Sequence, residues 1–143
     1  MSNYGVGIDL GGSSVKLVAL RESGEILQQE NREFDTAAPL HFANTINDLL
    51  SKVEEKQKLK PSFIGLAAPG LASPDHRWIA FMPGRLRGLE KLDWSNYLNV
   101  HFKIPVLNDA HAALLGEAWV GAGRGLRNVV MITLGTGVGG AAI

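Results

Sequence analysis

The segment VGIDLGGSSVKLVAL, residues 6–20, constrains the fold more than any other, because two short apolar runs flank a glycine turn. Apolar runs of this length, bounded by turn residues, are typical of β-strands, and a tight Gly-Gly-Ser-Ser turn pairs them as a hairpin. The pattern predicts strands over 4–10 and 14–20. Asp9 is either a turn residue that bonds its own backbone or a carboxylate beside a ligand, and the glycines alone are explained by the positive φ of a hairpin.

Strand and helix patterns alternate along the rest of the chain. Apolar residues recur at helical spacing between Pro39 and about Lys58, which predicts an amphipathic helix that Pro61 ends. The other predicted elements are a strand over 25–34, strands at FIGLAAPG, RWIAFMPG, IPVLND and NVVMITL, and helices at DWSNYLNVHF and AHAALLGEAWVGAG. An opening meander followed by alternating helices and strands predicts an α/β layer with a mixed sheet.

Composition argues against several classes of function. The 143 residues carry a formal net charge of zero and no basic block, which argues against a nucleic-acid partner. No apolar run is long enough to span a membrane, and we expect no signal peptide before the first strand. The sequence has no cysteine, so it holds no disulfide or thiolate metal site, and a cytoplasmic location fits this composition.

The sequence stops at LGTGVGGAAI, inside what the pattern predicts to be a second strand after a glycine turn. Because a natural domain rarely ends within a hairpin, we expect the chain to be one part of a longer protein. A terminal edge strand is the alternative.

Four residues that suit a ligand site lie at or just after predicted strands: Asp9, Gly70, Asp109 and Gly135. In sheets of this class, ligands bind outside the carboxyl ends of the strands, so we expect the four to converge. The glycines of GTGVGG match a dinucleotide fingerprint, yet no helix pattern follows them. They predict a hairpin that either approaches a phosphate with its amides or binds nothing, and the Pro69-Gly70 turn is open to similar alternatives.

The segment NDAHAALLGE places Asn108 and Asp109 where an apolar strand stops and a helix begins. Two roles compete here. Either residue can cap the helix, or Asp109 is a general base kept ionised by the positive helix end, with Asn108 orienting a hydroxyl. Glu117 lies two turns along the helix and suits a structural role, and the histidines lack metal-ligand spacing.

Four segments, taken in order, resemble one family. GIDLGGSSVK is similar to the D-x-G-G-[ST]-x-x-K phosphate segment of the sugar kinase and actin-like superfamily. GLAAPG resembles the G-x-x-x-P-G segment of the ROK family (repressors, open reading frames and kinases). PVLNDAHAALLGEAWVGAGRG resembles the P-V-x-x-x-N-D-A-x-x-A-x-x-G-E block of that family, and VVMITLGTGVGGAAI resembles its second phosphate segment. The resemblance covers nearly the whole chain.

The resemblance implies an α/β fold of the actin-like ATPase (ribonuclease H-like) type, with a mixed sheet and flanking helices. Residues 1–125 would form the N-terminal lobe, and residues 126–143 the first strands of a C-terminal lobe that is otherwise absent. The implied activity is ATP-dependent phosphorylation of a hydroxyl on a hexose or N-acetylhexosamine, and the motifs do not name the sugar. The resemblance further implies a cytoplasmic homodimer that binds neither nucleic acid nor membrane.

The resemblance also assigns roles to residues. Asp109 would accept the proton of the attacking hydroxyl, and Asp9 would act through Mg²⁺ or its water shell. Asn108 and the backbone of Pro69 and Gly70 would hold the sugar. The phosphates of ATP would be held on one side by Gly11, Gly12, Ser13 and Lys16, and on the other by Gly135, Thr136 and Gly137. Phosphoryl transfer requires mainly alignment and charge neutralisation, which these residue types supply.

Two departures from the family pattern limit this assignment. Pro83-Gly84 stands where many members have Pro-Asn, which puts one sugar contact in doubt, and Arg85 is a weak substitute for it. The G-H-x-x-x-E sugar segment and the Cys/His zinc site of the family would lie beyond Ile143, so we expect little kinase activity from these residues alone.

Three alternatives stay open at this stage. A ROK-type transcriptional regulator would carry a winged helix where this chain has only Ser2 and Asn3 before the first strand. An activator of a radical dehydratase, within the actin-like ATPases, would be expected to supply cluster cysteines. A non-catalytic sugar-binding lobe is the third alternative.

Overall fold

A computed structural model describes residues 3–134 and 137–143. Within them the chain forms strands and helices in an alternating order that follows the predicted one. The elements are β1 (Gly5–Leu10), β2 (Ser14–Leu20), β3 (Ile26–Glu33), α1 (His41–Gln57), β4 (Phe63–Ala68), β5 (Leu71–Ala72), β6 (Ile79–Phe81), α2 (Trp94–Tyr97), β7 (Val106–Asn108), α3 (Asp109–Val120), β8 (Val130–Leu134) and β9 (Val138–Ala142). No helix in this described part combines the length and the hydropathy needed to cross a bilayer.

The main sheet has five strands in the order β3-β2-β1-β4-β7. The first three strands are antiparallel neighbours, whereas β4 and β7 add to β1 in parallel orientation. The mixed sheet that opens with a meander is therefore confirmed. Two further pairs, β5-β6 and β8-β9, form separate two-stranded sheets.

The core lies between one face of the main sheet and α1. Alternate residues of β1, Val6, Ile8 and Leu10, are buried on this face, as the period of two in a strand requires. The helix buries the stripe that its sequence spacing predicts, formed by Phe42, Ile46, Leu49, Leu50 and Val53. The other residues of β1, Asp9 among them, therefore lie on the opposite face of the sheet, away from the core.

Helix α1 ends within one residue of the predicted position, but Pro61 is not what ends it. The helix stops at Gln57, and Lys58 takes a left-handed conformation with φ 55°. Pro61 therefore follows the end of the helix and does not itself terminate it. Helix α2 begins at Trp94, and Asp93 is its N-cap, whose carboxylate accepts a hydrogen bond of 3.1 Å from the Asn96 amide.

Candidate active site

The turn after β1 is held by two backbone hydrogen bonds. The Gly11 amide donates to the Ser14 carbonyl at 2.8 Å, and the Phe34 amide donates to the Ser13 carbonyl at 3.0 Å. Gly12 and Ser13 themselves are exposed. The turn is therefore fixed from beneath, while its outer surface faces solvent.

From the sequence, a positive φ would explain the two glycines of this turn, and that explanation is wrong for both. Neither Gly11 nor Gly12 is in the left-handed region. A Cβ on Gly11 would lie 3.2 Å from the Ser14 carbonyl oxygen, which is a tight approach. Among residues 3–134 and 137–143, and leaving aside its chain neighbours, a Cβ on Gly12 would meet one atom within 4 Å, Nη1 of Arg85 at 3.9 Å. Gly12 thus leaves the surface of the turn free for a group that approaches the backbone.

The Asp9 and Lys16 positions are direct cross-strand partners beside this turn. Residues paired in this way on one sheet face have Cβ atoms about 5 Å apart, which is close enough for opposite charges to interact. Lys16 is also exposed, so its ammonium group remains accessible to a ligand above the turn. The predicted phosphate residues Gly11, Gly12, Ser13 and Lys16 therefore share one surface.

Asn108 connects two parts of the site. It is the N-cap of α3, where its Oδ1 accepts a hydrogen bond of 3.0 Å from the Ala110 amide. Its Nδ2 donates to the Gly70 carbonyl at 2.9 Å. The capping role is confirmed, and one N–H of the side-chain amide is left for any further partner.

Gly70 requires glycine for reasons that are visible in the structure. Its φ is +103°, and a Cβ there would lie 2.7 Å from the Phe81 carbonyl oxygen. The turn role of the segment is therefore confirmed. Pro69 and Gly70 are both half-buried, and the Gly70 carbonyl is engaged by Asn108.

Asp109 is the first residue of α3 and is exposed. Its Oδ1 accepts a hydrogen bond of 2.7 Å from the Ala110 amide, which leaves the other carboxylate oxygen directed to its surroundings. The positive end of a 12-residue helix favours a negative charge at this position. An exposed, fixed carboxylate of this kind can accept a proton from a bound hydroxyl group.

Asp9 and Asp109 act on one another electrostatically. Asp9 on β1 pairs with Ala67 on β4, and Asn108 on β7 pairs with Ala68, so the strand β4 lies between Asp9 and the start of α3, and the two acids are at nearly the same level along the strands. Two strand spacings correspond to about 10 Å. Burial of the Asp9 carboxylate raises its pKa, the nearby Lys16 charge lowers it, and the Asp109 charge raises it. The two carboxylates therefore face the same region of the molecule.

Replacing Asp9 by Asn is expected to increase the free energy of unfolding at neutral pH, because the fold raises the pKa of this carboxyl group. With a raised pKa the folded protein binds more protons than the unfolded chain, so this contribution to stability falls as the pH rises. The increase in the free energy of unfolding of Asp9→Asn should be smallest at pH values below 3.8, the ordinary pKa of the group. It should be complete at pH values above the raised pKa of the folded protein. Urea unfolding at a series of pH values measures it.

A matched control for this experiment is Glu55→Gln, which removes the same charge from an exposed position on α1. It should not reproduce the pH-dependent gain. The prediction would be contradicted if the free energies of unfolding of Asp9→Asn and wild type differed by the same amount at every pH from acid to neutral.

The β8-β9 hairpin lies beside the start of α3. A Cβ on Gly139 would lie 3.5 Å from Ala110 Cβ, in the residue that follows Asp109. Gly137 has open space around it, and the predicted phosphate residues Gly135 and Thr136 lie outside the described residues. The structure therefore brings the described part of the second glycine segment toward Asp109.

Other polar candidates have structural roles. Glu117 accepts a hydrogen bond of 2.8 Å from the Ala122 amide, as its structural role predicts, and His41 Nδ1 accepts one of 2.9 Å from the Asp35 amide. Among residues 3–134 and 137–143, no three His, Cys, Asp or Glu side chains form a metal-binding group. Mg²⁺ commonly keeps several waters and takes one or two carboxylates plus substrate phosphates, so Asp9 beside the glycine turn fits that mode.

Sequence reasoning gave Arg85 little weight. Its guanidinium group lies against the Gly11-Gly12 turn, although 72 residues separate Arg85 from Ser13. The one sequence signal for this loop was Gly84, directly before Arg85, because the family pattern described above often has Asn at that position.

The chain is similar to known proteins in both its sequence and its fold. The sequence pattern that defines the ROK family matches residues 5–143. The chain is 33% identical to a glucokinase of Halalkalibacterium halodurans over 96% of its own length and 43% of that protein. The chain thus spans less than half the length of this curated relative.

Two solved structures superpose closely on the chain. An inorganic polyphosphate/ATP-glucomannokinase from an Arthrobacter strain gives a TM-score of 0.82 at 27% identity, covering 99% of this chain and 58% of that one. A Streptomyces griseus ROK family glucokinase, solved with glucose and AMPPNP, gives 0.77 at 27% identity, covering 99% and 44%. The predicted fold, a mixed sheet with flanking helices of the actin-like ATPase type, is confirmed.

Proposed function

The chain belongs to the ROK family, and from this premise we propose that it supplies the N-terminal half of the active site of an ATP-dependent sugar kinase. The observation that carries the proposal is the arrangement around α3. The exposed carboxylate of Asp109 at the helix start acts electrostatically on Asp9, beside the turn of residues 11–13, and the side chain of Asn108 donates a hydrogen bond to the Gly70 carbonyl. A base, a phosphate-binding turn and a second binding loop are the parts that hydroxyl phosphorylation needs.

In the proposed reaction, a sugar hydroxyl attacks the terminal phosphorus of ATP. Asp109 accepts the hydroxyl proton, a sugar phosphate ester forms, and the bond to ADP breaks. The exposed surface of the 11–13 turn and the Lys16 ammonium group would hold the phosphates. Mg²⁺, held through Asp9 or its water shell, would neutralise phosphate charge. The role of Asp109 as general base is part of the proposal.

The sugar would bind on the Gly70 side of Asp109. Asn108 fixes the position of Gly70 relative to the start of α3, and its remaining N–H is available to a hydroxyl group. We propose a hexose or N-acetylhexosamine as the substrate class, in line with the relatives named glucokinase and beta-glucoside kinase. Proteins that bind ligand hydroxyls commonly do so with a few fixed polar groups of this kind.

The proposed division into lobes places residues 1–125 in one lobe and residues 126–143 at the beginning of the next. It is supported by the separate hydrogen bonding of β8 and β9, which within the described residues pair only with each other. A homodimer, a cytoplasmic location and a structural zinc site in the remainder of the protein stay predictions from the family resemblance.

The test is phosphorylation by the protein expressed from its complete coding sequence. The protein is incubated with Mg²⁺-ATP and, separately, with glucose, mannose, fructose, N-acetylglucosamine and N-acetylmannosamine. We expect at least one sugar to give a phosphate ester by phosphorus NMR, with ADP in equal amount. A reaction without sugar controls for simple ATP hydrolysis.

Two other outcomes would contradict the kinase proposal. If calorimetry detects sugar binding while none of the sugars is phosphorylated, the non-catalytic sugar-binding alternative is supported. If the protein neither binds nor phosphorylates any of these sugars, the proposed substrate class is wrong.

A further inference from the structure

The loop that follows β6 carries an arginine whose position is not explained by packing. Its residues 82–88 and Glu90 line an open hollow of about 410 Å³. The base of the loop is anchored, because Leu86 and Leu89 are buried and the Met82 amide donates to Glu90 Oε1 at 2.7 Å. Arg85 lies on the exposed part between these anchors.

The Arg85 guanidinium reaches the surface of the glycine turn. Its Nη1 lies 3.9 Å from the position that a Cβ atom would occupy on Gly12, and apart from the chain neighbours of Gly12 no other described atom lies within 4 Å of that position. A Cβ atom at position 12 would be in ordinary van der Waals contact with Arg85. The arginine faces the turn of residues 11–13 across a gap that no other described group fills.

In the part of the chain that the structure describes, the charge of Arg85 is not paired with an acid. None of the ion pairs among the described residues includes it. The charges that shift the pKa of Asp9 are those of Lys16 and Asp109. An arginine that is always protonated and presents a planar set of donors suits an anion with several oxygens, and phosphate has that geometry.

We propose that Arg85 contacts the terminal phosphate of the phosphate donor, across the Gly11-Gly12 turn, as a positioning residue of the transfer reaction. The proposal rests on the proposed kinase function and assigns Arg85 to the donor and not to the sugar. The sugar side of the site, at Gly70 and Asn108, is tied together by their hydrogen bond, whereas Arg85 is adjacent to Gly12. Arg85 then forms the side of the donor site that faces Gly12.

The test compares nucleotides with and without a third phosphate. Arg85→Gln and the control Arg87→Gln are made in the complete protein, since both change one exposed arginine of the same loop. Calorimetry measures the affinity for Mg²⁺-AMPPNP and for Mg²⁺-ADP. Because a hydrogen bond to a charged group contributes about 1.5–3 kcal/mol, Arg85→Gln should weaken AMPPNP binding about ten- to a hundredfold. ADP binding should be unchanged, and Arg87→Gln should bind both as wild type does.

Kinetics separate this proposal from the alternatives. If Arg85 holds the terminal phosphate, Arg85→Gln lowers kcat while KM for the sugar stays constant, and Arg85→Lys restores part of the rate. An increase in the sugar KM alone would assign Arg85 to the sugar and overturn the proposal. Equal loss of ADP and AMPPNP affinity, or no loss of either, would overturn it as well.

The binding experiment stays informative if the kinase proposal fails. A wild-type protein that phosphorylates no sugar but binds AMPPNP through Arg85 contradicts the proposed function and supports the donor contact. A wild-type protein that binds neither nucleotide overturns the Arg85 proposal, whatever its activity on sugars.

Discussion

Asp109→Asn is expected to lower the rate of sugar phosphorylation by about a hundred- to ten-thousandfold, the range typical for loss of a general base. The variant keeps the shape of the side chain, and its amide oxygen can still accept the 2.7 Å hydrogen bond from the Ala110 amide. It loses the ability to accept a proton from the attacking hydroxyl. Steady-state kinetics with the best sugar of the panel measure the effect, with KM values close to those of wild type.

The matched control for Asp109→Asn is Glu117→Gln. Glu117 lies on the same helix, but its carboxylate bonds the Ala122 amide, an interaction that a Gln side chain can also make. The control should retain near wild-type kcat. If Asp109→Asn keeps more than about a tenth of the wild-type rate, the general-base role is wrong, since that loss is below the usual range.

Gly70→Ala is expected to cause the largest loss of folding stability of the substitutions considered, about 2–6 kcal/mol. Its φ of +103° disfavours any L side chain, at about 1–3 kcal/mol. The added Cβ would also lie 2.7 Å from the Phe81 carbonyl and 2.9 Å from Met82 Cβ, and forced overpacking adds about 1–3 kcal/mol. Since small proteins are stable by only about 5–15 kcal/mol, chemical denaturation should detect this readily.

Gly84→Ala isolates the steric part of that effect. Gly84 also has a positive φ, of +83°, but nothing lies within 4 Å of the Cβ position. It should therefore show only the backbone cost, and the difference between the two variants measures the clash at Gly70. Equal losses of stability in the two variants would show that the contact with Phe81 relaxes without cost.

The elements with a clear repeat were predictable from the sequence. Strand β2 has the predicted bounds, because alternating burial and flanking glycines define it on both sides. The stripe of α1 was equally clear, because five apolar residues recur at helical spacing. The positions of Asn108 and Asp109 at a strand-helix junction were also predicted, since a buried strand runs directly into a helix there.

Features that depend on long-range contacts could not be predicted. Strand β5 has only two residues, Leu71 and Ala72, which is too short for a periodic pattern. The partner of the Asn108 side chain is a carbonyl 38 residues away, and the approach of Arg85 to Gly12 depends on how a loop is anchored. The reason for Gly11 and Gly12 could not be predicted either. The sequence alone does not show whether a glycine is needed for a positive φ or because a Cβ atom would leave too little room.

The separate β8-β9 hairpin has a consequence for handling these residues in isolation. Val130, Ile132 and Leu134 are 74%, 67% and 82% exposed, and each strand of the pair has one edge without a partner among the described residues. An apolar ribbon with open edges is a template onto which further strands can add. We expect self-association of residues 1–143 to begin at this ribbon, because its exposed apolar side chains and its open edges lie on the same strands.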